Sequence, residues 1–342
     1  MGFVNEMITD KLSRYFKYLR ISITDKCNYR CSYCMPKDIF GKNHQFLRKN
    51  ELLTYEEIIH VVKILKQFGL KKIRLTGGEP LLRKNIELLI RGLKKDACIE
   101  EVAMTTNGSL LNVDKILMLR KHGLDSVTIS LDSLSQDSAD KINPVNNNID
   151  EVLMAISDVL KYFGTVKINM VVIKNKNDHE VIKILNNFVD KKVELRFIEY
   201  MDVGESNNWV SENVFTSNDT MNMIKKYYSV SKLIDMQDST SEKWKLKGYP
   251  CTIAFISSIS KPFCSDCNRG RLSADGKFYT CLFTNKGYDF ASYLRNNNEK
   301  IHLREFFEKV WKQRDDQYSQ LRFTKKVLKG KKNKVEMSYI GG

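Results

Sequence analysis

Proline is scarce, at 5 of 342 residues, which argues against long disordered linkers. No stretch approaches the roughly 18 consecutive apolar residues that cross a bilayer. Glu6, Asp10 and Lys11 stand near the N-terminus, where a secretory signal would need an apolar run. These features lead to the expectation of a cytoplasmic protein with no membrane partner. Acidic charge is also in deficit: 41 Asp and Glu face 56 Lys and Arg, a net +15. That excess favours anionic partners, meaning nucleic acid, nucleotides or phosphorylated metabolites. The basic tail "LRFTKKVLKGKKNK" reads as a solvated surface, and no nucleic-acid partner is expected from it. There is no internal sequence repeat and no low-complexity tract.

What is present is a long alternation of strand and helix signals. Six β-like runs follow in order: "YLRISIT" from Tyr18, "KIRLT" from Lys72, "EVAMTT" from Glu101, "SVTISLD" from Ser126, "TVKINMVVI" from Thr165 and "VELRFIEY" from Val193. Helical patterns separate them. "TYEEIIHVVKILKQFG" opens with Thr54 and Glu57 at capping-box spacing, carries Ile58, Val62 and Leu65 on one face and stops at Gly69. Similar units end at Gly123 and Gly164, and "SNDTMNMIKKYY" supplies a sixth helix. Strand, helix and stop at these intervals predict parallel strands joined by right-handed crossovers. The pattern changes near Ser217. The expected fold is therefore α/β, an incomplete six-unit TIM-like barrel over residues 1–216, with a mixed α+β extension over 217–342. That extension contains "CTIAFISSI", a hairpin turning at Asp275 and Gly276, and a helix around "LREFFEKVWKQRD".

Alternation within the strands divides polar from apolar faces. Arg20, Ser22 and Thr24 oppose Leu19, Ile21 and Ile23; Arg74 and Thr76 oppose Ile73 and Leu75; Lys167, Asn169, Glu194 and Arg196 continue the polar face. Ordinary barrels of this type fill the lumen with branched apolar layers. Here the lumen is expected to be polar and cationic. Unpartnered buried cations there would each cost several kcal/mol, which implies an anionic occupant.

Eight cysteines are present, six of them in two triplets: Cys27, Cys31 and Cys34 at the end of the first strand, and Cys264, Cys267 and Cys281 in the extension. In a reducing compartment such grouping reads as metal ligation rather than disulfides. Cys98 and Cys251 are assigned to packing. By spacing alone, each triplet suits zinc completed by a fourth ligand, with His44 or Cys251 as candidates, or an iron-sulfur cluster with one open iron. Zinc is the favoured reading of the C-x2-C pair at Cys264 and Cys267. Arg269 and Arg271, two apart in an extended segment, can face a single anion.

The first triplet, with Tyr33 as the aromatic before Cys34, matches C-x3-C-x-aromatic-C, and "TGGEP" at Thr76–Pro80 follows the second strand. In this order the two motifs resemble those of the radical S-adenosylmethionine enzymes. The resemblance implies a four-iron cluster on Cys27, Cys31 and Cys34, and S-adenosylmethionine received by Tyr33, Gly78, Glu79, Ser130 and Met201.

It narrows further through "KKIRLTGGEPLLR", "MTTNG", "ISLDSL", "ELRFIEYMDVG", "CSDCNRGRLSADGKFYTCLF" and the terminal "MSYIGG", which are similar to the GTP 3′,8-cyclase family of molybdenum cofactor biosynthesis. That similarity implies a second four-iron cluster on Cys264, Cys267 and Cys281. It also implies a GTP site lined by Arg20, Arg74, Thr105, Lys167, Arg196, Arg269, Gly270 and Arg271, and a Gly341-Gly342 tail entering the site beside the catalytic Arg269 and Arg271. The chemistry implied is removal of the ribose C3′ hydrogen, attack on guanine C8, and reduction. The similarity also implies an unidentified electron donor for the clusters and cyclic pyranopterin monophosphate synthase as the enzyme that takes the product, and the chain is expected to act as monomer or homodimer. Lys26, Arg48 and Gly270 depart from the family's usual residues, and Gly270 is expected to loosen its loop. Two other readings are a radical peptide-modifying enzyme with an auxiliary cluster and a basic zinc protein that binds RNA.

Overall fold

The computed structural model describes residues 7–145, 148–233, 241–295, 300–322 and 334–342. Most of the basic tail lies outside the described residues.

All six expected strands form: β1 (Tyr18–Ser22), β2 (Lys72–Thr76), β3 (Glu101–Thr106), β4 (Ser126–Ser130), β5 (Val166–Val172) and β6 (Val193–Glu199). They pair in sequence order and run parallel. The helices between them are α1 (Tyr55–Lys66), α2 (Ile86–Lys95), α3 (Val113–Lys121), α4 (Gln136–Ile142), α5 (Ile149–Phe163) and α6 (Glu180–Phe188), with α7 (Ser217–Lys225) after β6. The Thr54 capping box forms at the start of α1, with both reciprocal bonds in place. A second one, Thr216 with Asp219, opens α7. Gly164 adopts a left-handed conformation (φ 74°) directly after α5, a stop that glycine reaches without the clash other residues suffer.

The apolar strand face packs under the helices: Leu19, Ile21, Ile73, Leu75, Val127 and Ile129 join Ile58, Val62, Leu65 and Leu89 in one core. The predicted parity of the strands is correct, because helices can cover only an apolar face and the polar side chains are left to the lumen.

The C-terminal part differs from a separate extension. Strands β9 (Thr252–Ile256) and β10 (Arg269–Leu272) join the same sheet, β9 beside β6 and β10 beside β1, both parallel to their neighbours. The parallel order is thus β10-β1-β2-β3-β4-β5-β6-β9. β7 (Val230–Lys232) and β8 (Glu242–Leu246) extend one edge antiparallel, and β11 (Lys277–Tyr279) and β12 (Tyr288–Asp289) extend the other. Residue 217 marks where the βα repeat stops, not where the sheet stops. The sheet stays open, since β9 and β10 are not neighbours in it. The segment joining them, residues 257–268, therefore runs from one edge of the barrel wall to the other.

Behind β1 and β10, helix α8 (Lys300–Lys312) packs through aromatic rings: Phe307 and Trp311 lie 4.9 and 4.8 Å from the Phe16 ring centre. Gly270 is part of this arrangement. A Cβ there would sit 2.6 Å from the Phe278 ring and 3.0 Å from Phe16, so the residue lets β10 approach them closely. It tightens the strand instead of loosening a loop. Cys251 is fully buried in the core as expected, whereas Cys98 is exposed, held in a left-handed turn (φ 51°) after α2.

Candidate functional site

One cavity of about 290 Å³ opens at the C-terminal ends of the parallel strands, and all six clustered cysteines line it. Cys27, Cys31 and Cys34 come from the loop after β1. Cys264 and Cys267 come from the segment spanning the open edge, and Cys281 follows β11. Two triplets more than 200 residues apart thus face a shared space.

The first triplet is held by its own loop and by the second motif. Cys34 and Met35 amides donate to the Cys31 carbonyl at 3.0 and 2.8 Å. Gly78 N donates to the Thr24 carbonyl at 2.7 Å and Glu79 N to that of Lys26 at 2.8 Å, tying "TGGEP" to the cysteine loop. A Cβ on Gly78 would lie 2.2 Å from the Lys26 carbonyl oxygen, so only glycine allows this approach. Glu79 is buried, and its carboxylate accepts from Leu81 N (3.1 Å), Thr106 Oγ1 (2.8 Å) and Asn107 N (2.8 Å). Burial pushes its carboxyl up to about 7, against the pull of these donors. Two carboxylate oxygens accept about four hydrogen bonds, so room remains for a ligand amine. Tyr33 donates to Asp132 at 2.8 Å; burial, with Tyr33 and Val171 N donating in opposition, leaves the Asp132 carboxyl at about 6. Ser130, Asp132, Asn107 and Met201 line the same end. Asn107 and Asp132 were not singled out from sequence, although they sit inside the quoted "TTNG" and "ISLDSL" stretches.

Burial raises the thiols of the first triplet, Cys27 to about 11 and Cys31 and Cys34 well above the usual range. The second triplet differs. Burial also opposes ionisation of Cys267, but Arg269 and Arg314 draw its thiol down to about 6, while burial keeps Cys281 near 12. Among the described residues no three His, Cys, Asp or Glu side chains are arranged to hold a single metal ion. His44 is sandwiched between Phe40 and Phe46, each ring centre 4.6 Å away, and is not part of the cavity wall. Neither His44 nor Cys251 is placed to complete a zinc site. Soft thiolate donors in threes around one open space fit iron-sulfur clusters with an open iron, each thiolate binding a different iron.

Between the triplets the wall is cationic: Arg20, Arg74, Arg196, Arg269 and Arg271 all line the cavity, with Thr105 beside them. Not all are unpartnered, however. Arg74 donates to Tyr18 Oη (2.5 Å), Thr105 Oγ1 (3.0 Å) and Thr128 Oγ1 (2.8 Å). Burial of Tyr18 resists ionisation, yet Arg74, Arg20 and Lys72 draw its phenol down to about 7. Arg196 pairs with Glu194, which also binds Lys243 at 2.9 Å. Among the described residues Arg20, Arg269 and Arg271 have no carboxylate partner; Tyr18 offsets part of the Arg20 charge, and the Gly341 carbonyl accepts from Arg271. Burial, with Arg269 and Arg74 nearby, lowers Arg20 to about 10, and its Nε is buried with no hydrogen-bond partner among the described residues. Asn169 Oδ1 is likewise buried and unpaired. The Arg20 Nε is a free donor that suits an anion, whereas the Asn169 oxygen calls for a donor group.

Three expected contacts fall outside the wall. Gly270 points at Phe278 because alternation in β10 sends Arg269 and Arg271 to the opposite face. Lys167 is half-buried one layer below, opposite Thr128 and Glu194, where burial, Arg196, Lys72 and Arg74 lower its amine to about 8. Gly341 is not itself in the lining, but its carbonyl accepts from Arg271 Nη1, and Gly342 lines the cavity. The tail is clasped by Glu336, which accepts from Glu205 N (2.9 Å), Ser206 N (3.1 Å) and Ser206 Oγ (2.7 Å).

Residues 21–188 match the Radical SAM superfamily, and residues 193–320 match Molybdenum Cofactor Synthesis C. Proteins named GTP 3′,8-cyclase are similar along the whole chain. One from Staphylococcus epidermidis is 40% identical, covering 99% of this chain and 100% of its own; one from Staphylococcus haemolyticus is 40% identical, covering 98% and 99%. Among solved structures, Streptococcus suis SuiB bound to S-adenosylmethionine superposes with a TM-score of 0.61 at 13% identity, over 86% of this chain and 70% of its own. That likeness speaks for the fold alone. Full-length similarity, two cysteine triplets and a lumen of arginines agree: the chain belongs to the GTP 3′,8-cyclase family of the radical S-adenosylmethionine superfamily.

Proposed function

We propose that the protein converts GTP to 3′,8-cyclo-7,8-dihydro-GTP, the first step of molybdenum cofactor biosynthesis. The observation that carries this reading is the convergence of two separate cysteine triplets and Arg20, Arg269 and Arg271 on one cavity, in a chain 40% identical to a named GTP 3′,8-cyclase. Residues 1–216 supply the cofactor half and residues 217–342 the second triplet and the tail.

Cys27, Cys31 and Cys34 hold the first four-iron cluster, and Cys264, Cys267 and Cys281 the second. With S-adenosylmethionine bound, the first cluster supplies a 5′-deoxyadenosyl radical able to take the C3′ hydrogen of the substrate ribose. Glu79 accepts the methionine amine, and Tyr33, Gly78, Ser130 and Met201 shape the rest of that pocket. Arg20, Arg269 and Arg271 bind the triphosphate by charge-assisted, forked hydrogen bonds. Their task is to hold the ribose and the purine in reacting geometry, since orientation is worth far more here than acid-base chemistry. The Gly341-Gly342 tail covers the opening and keeps water from the reacting atoms. Arg74 and Arg196, already partnered, set the lumen's shape and field. Cyclisation forms a C3′–C8 bond, transfers the C3′ hydrogen to the cofactor, and takes one electron and one proton at the purine.

Anaerobic incubation of the reconstituted chain with GTP, S-adenosylmethionine and dithionite tests the proposal. 5′-Deoxyadenosine formed in step with GTP loss is expected. Deoxyadenosine formed without GTP loss would overturn the substrate, and a colourless protein containing only zinc would overturn the class. The product passes to cyclic pyranopterin monophosphate synthase, and the unpaired cysteines suit a reducing cytoplasm.

A further inference from the structure

Arg314 lies outside the cavity wall and reaches the second triplet from behind. Its Nη2 is 3.4 Å from Cys267 Sγ, and Nη1 donates to the Cys267 carbonyl at 2.8 Å. Nη1 also meets Asp10 Oδ2 at 3.2 Å, and Nε meets Asp316 at 3.3 Å. The guanidinium is 1% exposed and sits 4.7 Å from the Trp311 ring centre. Arg14 is its neighbour. It binds the same Asp10 oxygen at 2.6 Å and donates to the Cys264 carbonyl (2.7 Å) and the Asp316 carbonyl (2.8 Å), meeting a main-chain oxygen of the cysteine segment where Arg314 also reaches a sulfur. The buried Asp10 carboxylate thus fixes two guanidinium groups against one cysteine segment.

In the first triplet Arg30 Nη1 donates to the Cys27 carbonyl at 2.7 Å, but among the described contacts no cation donates to a sulfur. Cys27 Sγ meets the Tyr29 amide at 3.4 Å and the Asn107 side-chain amide at 4.0 Å, both neutral donors. Reducing a thiolate-bound cluster adds negative charge, and an N–H donor or cation at the sulfur stabilises that added charge. In a buried setting the effect is weakly screened.

We propose that Arg314 is a positioning residue that raises the reduction potential of the second cluster, and not of the first, through its charge-assisted hydrogen bond to Cys267. The proposal rests on Cys264, Cys267 and Cys281 being that cluster's ligands. No bond is made or broken; one electron from an external reductant enters the cluster, and Arg314 shifts the equilibrium of that entry.

The test is an anaerobic redox titration followed by electron paramagnetic resonance on the full-length, reconstituted protein. The second cluster's signal is identified by its disappearance in Cys267→Ala. In Arg314→Gln, at least a tenfold loss in the one-electron reduction equilibrium of the second cluster is expected, about 59 mV. Arg314→Lys, which keeps the charge without the fork, shifts it less, and the first cluster stays in place in both. Arg14→Lys disturbs the same segment without touching sulfur and leaves both potentials unmoved. An unchanged second-cluster potential in Arg314→Gln would overturn the proposal, as would an equal shift in Arg14→Lys. Loss of the second cluster from both Arg314 variants would also overturn it, by making the residue a scaffold. A wild-type protein with no second cluster would instead overturn the ligand assignment.

Discussion

The Arg271 guanidinium donates to the carbonyl of Gly341, so a residue of the second cysteine segment grips the end of the chain. Gly341 has a φ of 76°, and a Cβ there would lie 2.3 Å from Thr76 Cγ2 at the tip of β2. Gly341→Val should dislodge the tail and lower kcat roughly a hundredfold, the scale expected of an ångström's misplacement. Cluster content and melting temperature should stay unchanged, which separates misplacement from unfolding.

Arg20 offers a buried Nε with no hydrogen-bond partner among the described residues. If it meets the substrate triphosphate, Arg20→Ala should raise the Kd for GTP about 10- to 100-fold, the cost of a lost hydrogen bond to a charged group. Arg20→Lys should recover only part of this, because an ammonium cannot reproduce the fork. Equilibrium binding of GTP to the cluster-loaded protein measures both.

The two triplets should separate in kinetics. Cys31→Ala should abolish 5′-deoxyadenosine formation altogether. Cys267→Ala should keep the slow cleavage of S-adenosylmethionine by dithionite-reduced protein while GTP consumption falls to background. Paired assays of deoxyadenosine and GTP, with iron content, check the split.

Glu79 gives a pH signature. Its carboxyl is raised from an ordinary 4.5 to about 7 by burial, so the folded chain retains a proton over that window that the unfolded chain has lost. Stability from this group is full below about 4.5 and falls as pH rises through about 7. Glu79→Gln should remove the slope. In denaturant unfolding of protein free of S-adenosylmethionine, wild type should lose up to about 3 kcal/mol relative to the variant between pH 5 and 8.

Much of this fold is legible in sequence because it is local. The β2 and β3 ranges follow directly from runs of alternating residues, and the Thr54 and Gly164 helix ends from their capping chemistry. The cationic lumen is legible from the same alternation, since parity carries Arg20 and Arg74 inward once Leu19 and Ile73 go outward. What escapes is long-range. Nothing near Arg269 shows that β10 will lie beside Tyr18 in parallel register, and so Gly270 looks like a loop residue when it is a strand residue against Phe278. Arg14 reaches the Cys264 carbonyl across 250 positions, a separation no spacing rule spans. Glu194, two residues before Arg196 on the same face, pairs with it, a partner not assigned from sequence although the spacing offered it, and the pairing lessens the charge that an occupant must neutralise.

The crossing of residues 257–268 from β9 to β10 has a further consequence. In most barrels the seam is sealed by hydrogen bonds between first and last strands; here it is bridged by the peptide that carries Cys264 and Cys267. If those thiolates hold the second cluster as proposed, inorganic chemistry and wall integrity become one event, and an oxidant that attacks the two sulfurs would slacken the side of the vessel as well as its contents.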